Sequence, residues 1–191
     1  KTLVSFPGGK EDSYAIPAGV EQIGESAFSG CGGLTLLVIP ERVTNIFVDA
    51  FDACSGLTSV TVLPEVPPGL ITVPPFPDAP DGCKLYYRTA SYLTNPFWSE
   101  DSDRFSRTVI STVTADPGIT FSSEPAKRTY YGVDYYEAGS TITLNVPAGY
   151  AAEAFWNGNH ISPDSSGVYS FSMPDEDVVK LSAVYNPITY T

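Results

Sequence analysis

The sequence predicts a β-rich protein in two parts: a short repeat solenoid with a parallel strand ladder over residues 1–107, and a small all-β domain over residues 108–191. Three observations support this prediction. An apolar pattern recurs after 23 residues in the first part, and short strand-like segments alternate with turn residues in the second. Val, Ile, Thr, Tyr and Phe are abundant throughout, and 17 Pro and 16 Gly interrupt the chain too often for long helices.

The repeat consists of seven apolar positions that are occupied twice. The first copy is Ile16, Val20, Ile23, Ala27, Phe28, Cys31 and Leu34, and the second is Ile39, Val43, Ile46, Ala50, Phe51, Cys54 and Leu57. A unit of 23 residues cannot bury its apolar side chains alone, so neighbouring copies must stack on one another. Pro17 and Pro40 begin the two segments, which favours short turns over one long helix in each copy.

Period-two apolar pairs mark the strands of the predicted ladder. They lie within residues 14–16, 37–39, 60–62 and 85–87. Because stacked copies bring equivalent segments side by side, we expect parallel strands about 4.8 Å apart. Val4 and Phe6 form a similar pair, so residues 3–6 predict an N-terminal edge strand that ends at a turn over residues 7–9. The seven prolines between residues 64 and 82 predict an irregular last coil.

The first copy reads Ile16-Pro17-x-x-Val20-x-x-Ile23-Gly24-x-x-Ala27-Phe28-x-x-Cys31-x-x-Leu34. This motif resembles the BspA-like leucine-rich repeat of bacterial surface proteins. The second copy departs from the family at Phe47, which replaces a Gly, and Arg88 stands where the family tends to have Pro. The later residues Cys83, Leu85, Tyr86, Tyr92 and Trp98 resemble the closing strand and cap of such arrays. The resemblance covers about residues 1–107 and implies an exported protein that recognises or adheres to a partner.

The second part contains seven short segments that are typical of strands between Gly, Pro, Asn and Asp turns. They are residues 108–115, 119–122, 129–136, 141–146, 152–156, 168–172 and 178–185. Their alternation and regular spacing predict a small sandwich or a partly open barrel. A turn at Asn157-Gly158-Asn159 predicts a hairpin.

Four motifs of the second part are similar to divergent bacterial modules of the internalin B-repeat type. They are Gly139-x-x-Ile142-x-Leu144, Pro147-x-Gly149-Tyr150, Trp156-Asn157-Gly158 and the ending Tyr169-x-Phe171-x-Met173-Pro174-x-x-Asp177-Val178-x-x-x-x-Ala183. The resemblance implies a spacer or adhesion module of an exported protein. It leaves a sandwich and a β-grasp-like fold both open.

Charge and hydropathy limit the kinds of partner and the cellular location that the sequence is compatible with. Ten basic and 22 acidic residues give a net charge of -12, which would repel a phosphate backbone, so we expect no nucleic-acid partner. No apolar run reaches the roughly 20 residues of a membrane helix. The chain starts at Lys1 without an initiator Met or a signal-peptide core, so we expect a processed or excised, extracellular or cell-surface protein. We also expect a monomer without a cofactor.

The three cysteines, Cys31, Cys54 and Cys83, occupy matching or nearly matching places in the repeats. A small buried position favours free thiols that behave as compact apolar groups. A Cys31–Cys54 disulfide is the alternative, since stacked repeats would bring these residues close together. No second ligand lies at a zinc-finger spacing, so no metal site is expected.

The sequence contains few groups of residues that could form a catalytic site. His160 is the only histidine, and no Gly-x-Ser-x-Gly segment accompanies it. Glu100, Asp101 and Asp103 cluster beside Trp98 and have the chemistry of a glycoside hydrolase, but acidic runs at a domain junction are usually solvated. We therefore predict that the protein is not an enzyme, and keep a carbohydrate-active enzyme as the least favoured alternative.

The predicted docking surface is the outward row of the strand ladder, which consists of Ala15, Val38, Thr61 and Tyr86. These residues lie between the inward pairs, and a row of small or uncharged side chains is a natural contact face for an extracellular protein or glycan. The tyrosines 130, 131, 135 and 136 offer a second set of aromatic contacts, although half of them should face the core. The main alternative function is a structural spacer within a larger exported protein.

Overall fold

The structure, a computed structural model, describes residues 1–6, 12–70, 75–99, 102–125, 127–176 and 178–188. The chain divides into two compact units, Lys1–Val109 and Ile110–Thr191. This division lies two residues beyond the predicted junction between Arg107 and Thr108. The turn expected at residues 7–9 lies outside the described residues.

The first unit contains short strands, two one-turn helices and a 3₁₀ turn. The strands are β1 (Thr2–Leu3), β2 (Asp12–Ala15), β3 (Gln22–Ile23), β4 (Leu34–Ile39), β5 (Asn45–Ile46), β6 (Ser59–Val62), β7 (Gly69–Leu70) and β8 (Cys83–Tyr87). The cap comprises α1 (Ser91–Thr94), α2 (Pro96–Ser99) and the 3₁₀ turn Ser102–Arg104. The next strand, β9 (Phe105–Ala115), begins in the first unit and ends in the second.

Strands β2, β4, β6 and β8 form a parallel ladder, and the prediction of such a ladder is confirmed. Leu37 pairs with Val60, and Val60 with Leu85, as the repeat requires. The sequence did not predict a fifth member: the first half of β9 pairs in parallel with β8, from Phe105 opposite Cys83 onward. A second parallel sheet, β1–β3–β5–β7, runs through the short strands of the same turns.

The N-terminal strand was predicted in the wrong place. It covers Thr2–Leu3, not residues 3–6, and it pairs with β3 of the second sheet. Val4 is 74% exposed, whereas Phe6 is buried and its N–H donates to the carbonyl of Ala27 at 2.7 Å. Period-two spacing indicates an extended chain but does not reveal which sheet that chain joins.

A column of aromatic rings runs along the core of the first unit. The rings of Phe6 and Phe28 lie 5.1 Å apart, those of Phe28 and Phe51 5.1 Å, and those of Phe51 and Phe76 5.0 Å. Trp98 of the cap follows at 6.2 Å from Phe76. Residues 25–30 and 48–53 form turns, in agreement with the prediction of short turns or one-turn helices in place of a long helix, and these turns carry Phe28 and Phe51 inward. One ring per turn thus joins the successive repeats.

Cys31, Cys54 and Cys83 are buried and free. The Cys54 thiol donates to the carbonyl of Phe28 at 3.2 Å. Burial raises the pKa of Cys54 to about 12, and burial likewise raises the pKa of Cys83 to about 11. These thiols therefore remain neutral at physiological pH and serve as small apolar groups in the stack.

The second unit is built from β9 and eight further strands. They are β10 (Phe121–Glu124), β11 (Arg128–Tyr130), β12 (Val133–Glu137), β13 (Thr141–Leu144), β14 (Tyr150–Trp156), β15 (Asn159–Ile161), β16 (Ser170–Ser172) and β17 (Val178–Pro187). No helix lies among the described residues after Val109.

The strands of the second unit belong to two sheets. Strands β10, β13 and β16 form an antiparallel sheet, and β11, β12, β9, β17, β14 and β15 are joined in that order into a larger one. All pairs of the larger sheet in this unit are antiparallel except β9 with β17. Leu144 of the smaller sheet and Ala154 and Leu181 of the larger one belong to a single buried cluster.

Two hairpins refine the predicted strands. Asn157 and Gly158, with φ of 43° and 81°, form the expected two-residue turn between β14 and β15. Residues 129–136 were predicted as one strand but form two, because Tyr131 and Gly132 adopt φ of 51° and 80° and reverse the chain. The apolar and aromatic content of this segment hid its turn, since a Tyr-Gly pair is a weak turn signal.

Candidate binding site

The structure does not present the predicted docking row as a surface. Ala15 is exposed, but Val38, Thr61 and Tyr86 are 1%, 0% and 3% exposed. The expectation that these three side chains face solvent is therefore wrong. They belong to the buried interior of the chain and cannot contact a partner directly while it is folded.

The reason lies in the composition of the strands. Parallel sheets are usually covered on both faces, and their strands then read as continuous apolar runs instead of alternating ones. Residues 36–39 read Leu-Leu-Val-Ile and residues 85–87 read Leu-Tyr-Tyr. These runs were a signal for burial on both faces, which the period-two interpretation of the pairs Leu37–Ile39 and Leu85–Tyr87 overlooked.

A cavity of about 400 Å³ opens where β4, β6 and β8 end. The carboxyl ends of parallel strands meet at one edge of a sheet, so the residues that follow these three strands are brought together. The lining residues are Glu41, Arg42, Val43, Thr44, Pro64, Glu65, Val66, Pro67 and Arg88. All of them belong to the first unit. Below, this cavity is called the strand-end cleft.

Arg88 is the central charged residue of the strand-end cleft. It is only 8% exposed, and its Nη1 donates to Glu41 Oε1 at 2.8 Å while its Nη2 donates to Glu65 Oε1 at 3.2 Å. The planar guanidinium suits such a two-sided arrangement. The Glu41 and Glu65 side chains themselves remain 54% and 64% exposed. Arg88 thus holds two solvent-reachable carboxylates at fixed positions.

The apolar wall of the cleft comes from the proline-rich coil, and the cap holds it in place. The Tyr92 hydroxyl donates to the carbonyl of Pro64 at 2.9 Å, and Trp98 Nε1 donates to the carbonyl of Pro68 at 2.9 Å. Thr89 Oγ1 donates to the carbonyl of Glu65 at 3.0 Å. Between these anchored points Val66 is 77% exposed. The coil therefore presents an apolar side chain beside the two carboxylates.

Only part of this site was visible in the sequence. Arg88 departs from the repeat pattern that the chain resembles, which tends to have Pro at this position. Its partners were not predictable, since Glu65 and Glu41 lie 23 and 47 residues earlier in the chain. Both glutamates follow a proline directly, at Pro40-Glu41 and Pro64-Glu65, which is the one local signal that they share a position.

The residues considered for catalysis lie partly outside the described part of the chain. Glu100 and Asp101 lie outside the described residues, and Asp103 is exposed in the 3₁₀ turn. His160 is exposed, and its Nδ1 lies 3.2 Å from Ser162 Oγ. Across the described ranges, no group of three or more His, Cys, Asp and Glu side chains could hold a metal ion.

The four tyrosines of the β11–β12 hairpin are divided between the core and the surface. Tyr135 and Tyr136 are 1% and 6% exposed, and Tyr130 is partly buried. Tyr131, which lies in the turn, is 43% exposed. The expectation that burial would take about half of them therefore matches their positions, and a continuous aromatic platform is absent from this described hairpin.

The comparison with known families identifies the repeat. Residues 5–67 match the family described as BspA type leucine-rich repeat region, in 6 copies, over about a third of the chain. Neither the curated proteins nor the solved structures contain a match to this chain. The match supports a BspA-like leucine-rich repeat, which the structure forms as a solenoid of about four turns. The resemblance of residues 108–191 to internalin B-repeat modules stays a prediction.

The family carries information about the class of protein. BspA-type repeat proteins are typically non-catalytic bacterial surface proteins that act in adhesion or recognition. In the described part of the chain no helix is long and apolar enough to cross a bilayer, and the two α-helices have four residues each.

Proposed function

We propose that this chain is a non-catalytic recognition protein of the bacterial cell surface, and that it binds an extracellular protein through the strand-end cleft. The single observation that carries the proposal is the Arg88 clamp. A buried guanidinium fixes the half-exposed carboxylates of Glu41 and Glu65 beside the exposed Val66. The repeat family, whose members typically act in recognition, supports the same class of function.

The chemistry of the cleft favours a polypeptide partner with a basic and an apolar side chain close together. The lining of the cleft holds two glutamates and two arginines. Arg88 is buried and Arg42 is paired with Glu21, so the exposed carboxylates of the two glutamates dominate the charge at the mouth. The net charge of -12 also favours approach of a basic surface. Val66 and Pro67 supply apolar contact area next to these charges. An apolar side chain beside exposed carboxylates offers a partner both apolar area to bury and complementary charge.

The rigidity of the cleft supports tight binding. Both of its glutamates are ion-paired to Arg88, and hydrogen bonds from Tyr92 and Thr89 hold Pro64 and Glu65 in place. A surface that is ordered before binding loses little conformational entropy when the partner docks. Ala15, the exposed member of the predicted row, remains a proposed additional contact.

The experiment that tests this proposal begins with binding of the purified chain to immobilised extracellular matrix proteins and to a glycan array. For any protein ligand found, Val66→Asp should weaken binding at least about tenfold, because it places a charge in the apolar part of the contact. Val4→Asp is the matched control, since Val4 is 74% and Val66 77% exposed and both belong to the first unit.

Equal affinity of the two variants would contradict the assignment of the strand-end cleft. If the chain bound glycans alone, its partner would be a saccharide and not a protein. Absence of binding to both panels would favour the alternative function, a structural spacer in a larger exported protein.

A further inference from the structure

Strands β9 and β12 pair over three positions and then separate. The pairing runs from Ile110 opposite Glu137 to Thr112 opposite Tyr135. Beyond Thr112, β9 continues to Ala115, and there it pairs only with β17 on its other edge. Strand β12 continues to Val133 and pairs there only with β11. The two strands therefore leave an opening between them within the larger sheet of the second unit.

The free edge of β9 carries backbone groups that point into this opening. The N–H of Asp116 donates to the carbonyl of Leu181 at 3.0 Å, which directs the backbone of Asp116 toward β17. Because alternate residues of a strand direct their N–H and C=O to opposite edges, the backbone of Ala115 points away from β17. Within the described ranges no strand lies opposite Ala115 on that edge. Its N–H and C=O are therefore available to another chain.

The opening has a cleft of about 650 Å³ beside it. The lining residues are Thr112, Val113, Thr114, Thr120, Phe121, Lys127, Gly132, Val133, Asp134 and Tyr136. The rings of Phe121 and Tyr136, whose centroids are 5.6 Å apart, make its apolar part. All these residues belong to the second unit.

The charges of the cleft are already neutralised. Lys127 Nζ donates to Asp134 Oδ2, and Thr129 Oγ1 donates to Asp134 Oδ1 at 2.6 Å. These contacts raise the pKa of Lys127 and lower the pKa of Asp134, chiefly through the hydrogen bond between them, so both remain charged and paired near neutral pH. One cation and one anion leave no net charge for a ligand to match. A ligand without charge complements this lining best.

We propose that this cleft binds an uncharged, extended peptide segment, which adds as a strand to the free edge of β9. The peptide backbone pairs with the N–H and C=O of Ala115, and alternate side chains of the peptide reach Phe121 and solvent. This strand-addition site lies in the second unit and is independent of the strand-end cleft. A protein ligand with an exposed, uncharged strand or tail is the kind of partner that it fits.

The first test is amide hydrogen exchange of the free, full-length chain, followed by NMR. The Thr114 amide, which faces β17, should be protected, whereas the Ala115 amide should exchange fast because no carbonyl accepts its proton. Equal protection of the two amides in the free chain would overturn the proposal, since it would mean that the edge is already occupied.

The second test is titration of the labelled chain with the capped peptide acetyl-Ser-Thr-Val-Thr-Val-Thr-Ser-amide. The Ala115 and Gly132 amide signals should shift, and Ala115→Pro should weaken binding at least about tenfold by removing the donor. Ala115→Ser keeps the donor and should bind as the unchanged chain does. Because the Ala115 N–H faces away from β17, the Pro variant should retain the pairing of β9 with β17, which the chemical shifts of Val179 and Leu181 report.

Three results would overturn the proposal: no shift at millimolar peptide, equal binding by the Pro and Ser variants, or undiminished binding of a peptide N-methylated at alternate residues. Shifts of the same amides by neutral oligosaccharides but not by the peptide would assign the cleft to saccharides and would also refute strand addition.

Discussion

The two units hold their strands together over different sequence distances. In the solenoid the Thr58 N–H donates to the carbonyl of Thr35, and the Thr44 N–H donates to that of Glu21, both across one repeat of 23 residues. In the second unit β9 pairs with β17, and Thr114 Oγ1 donates to the carbonyl of Val179, 65 residues away. Because each repeat contacts only its neighbours, the architecture of the solenoid follows from contacts that are close in sequence. The second unit instead depends on pairings between strands that are far apart in the sequence.

The aromatic column provides the largest expected difference between the units. Phe51→Ala removes a fully buried ring that contacts Phe28 and Phe76, and should lower the free energy of unfolding by about 3–5 kcal/mol. Phe155→Ala, at a half-buried ring of the second unit, should cost less than about 2 kcal/mol. Denaturant titration followed by the NMR signals of the two indole N–H groups can monitor each unit separately, because Trp98 and Trp156 lie in different units. Equal losses of unfolding free energy in the two variants would show that the aromatic column does not determine the stability of the solenoid.

Close packing between repeats gives the next largest effect. A Cβ added to Gly56 would lie 2.2 Å from the carbonyl oxygen of Gly32 and 3.2 Å from that of Leu34. Gly56→Ala should therefore force the backbones apart and destabilise the first unit by about 1–3 kcal/mol. Gly33→Ala is the control, since nothing lies within 4 Å of the added atom. The Trp98 unfolding transition measures both, and a loss of equal size in the control would refute the packing argument.

The Arg88 clamp should contribute less than the core. Arg88→Met removes two charged hydrogen bonds from a nearly buried side chain, and should cost about 1–3 kcal/mol in the first unit. Arg42→Met should cost less than about 0.5 kcal/mol, because Arg42 is 69% exposed and 3.5 Å from Glu21. Urea unfolding of the two variants compares them directly. Similar values would mean that Arg88 behaves as a surface residue and does not organise the cleft.

The cysteines give an effect that appears only at alkaline pH. An unfolded thiol ionises near 9.0, whereas burial raises the pKa of Cys83 to about 11 and that of Cys54 to about 12. The neutral thiol is the form that the folded state favours, so its stabilisation is complete below pH 9 and declines as pH rises through the folded pKa values. The first unit should therefore begin to lose stability just above pH 9. Because the second unit has no cysteine, its Trp156 transition should change less between pH 9 and 10, where the buried Tyr136, whose pKa is raised by burial, only begins to contribute. Rapid labelling of the native thiols by a disulfide reagent at pH 8 would contradict this burial.

Much of the solenoid was predictable, because its residues repeat. The parallel ladder and the inward Phe28 and Phe51 followed from the repeat alone. The fifth ladder strand, which begins at Phe105, and the continuation of the ring column to Trp98 did not, since neither residue belongs to a recurring position. In the second unit the approximate strand positions were visible, but their partners were not, because alternation shows which side chains share a face and not which strand lies beside them.

The candidate sites were less predictable than the fold. The residues of the predicted docking row do lie side by side in the ladder. Val38 and Thr61 are nevertheless buried, because the exposure of a sheet face depends on which other parts of the chain cover it. The strand-end cleft needs Arg88 to meet Glu41 and Glu65 across two repeats. The opening beside Ala115 arises where two pairings end, and no local motif marks such an end.

By itself the sequence determined the repeat and the parallel order of its strands. It also determined that the aromatic and cysteine residues that recur in each repeat face inward, and that a hairpin forms at Asn157-Gly158. Each of these depends on neighbours in the chain or on a fixed period, which local sterics and apolar burial translate directly into structure. Only the tertiary structure decided which surfaces remain exposed, which charges pair in the strand-end cleft, and where the edge of β9 stays open. Those features depend on groups that are distant in sequence, and their meeting is set by the packing of whole elements.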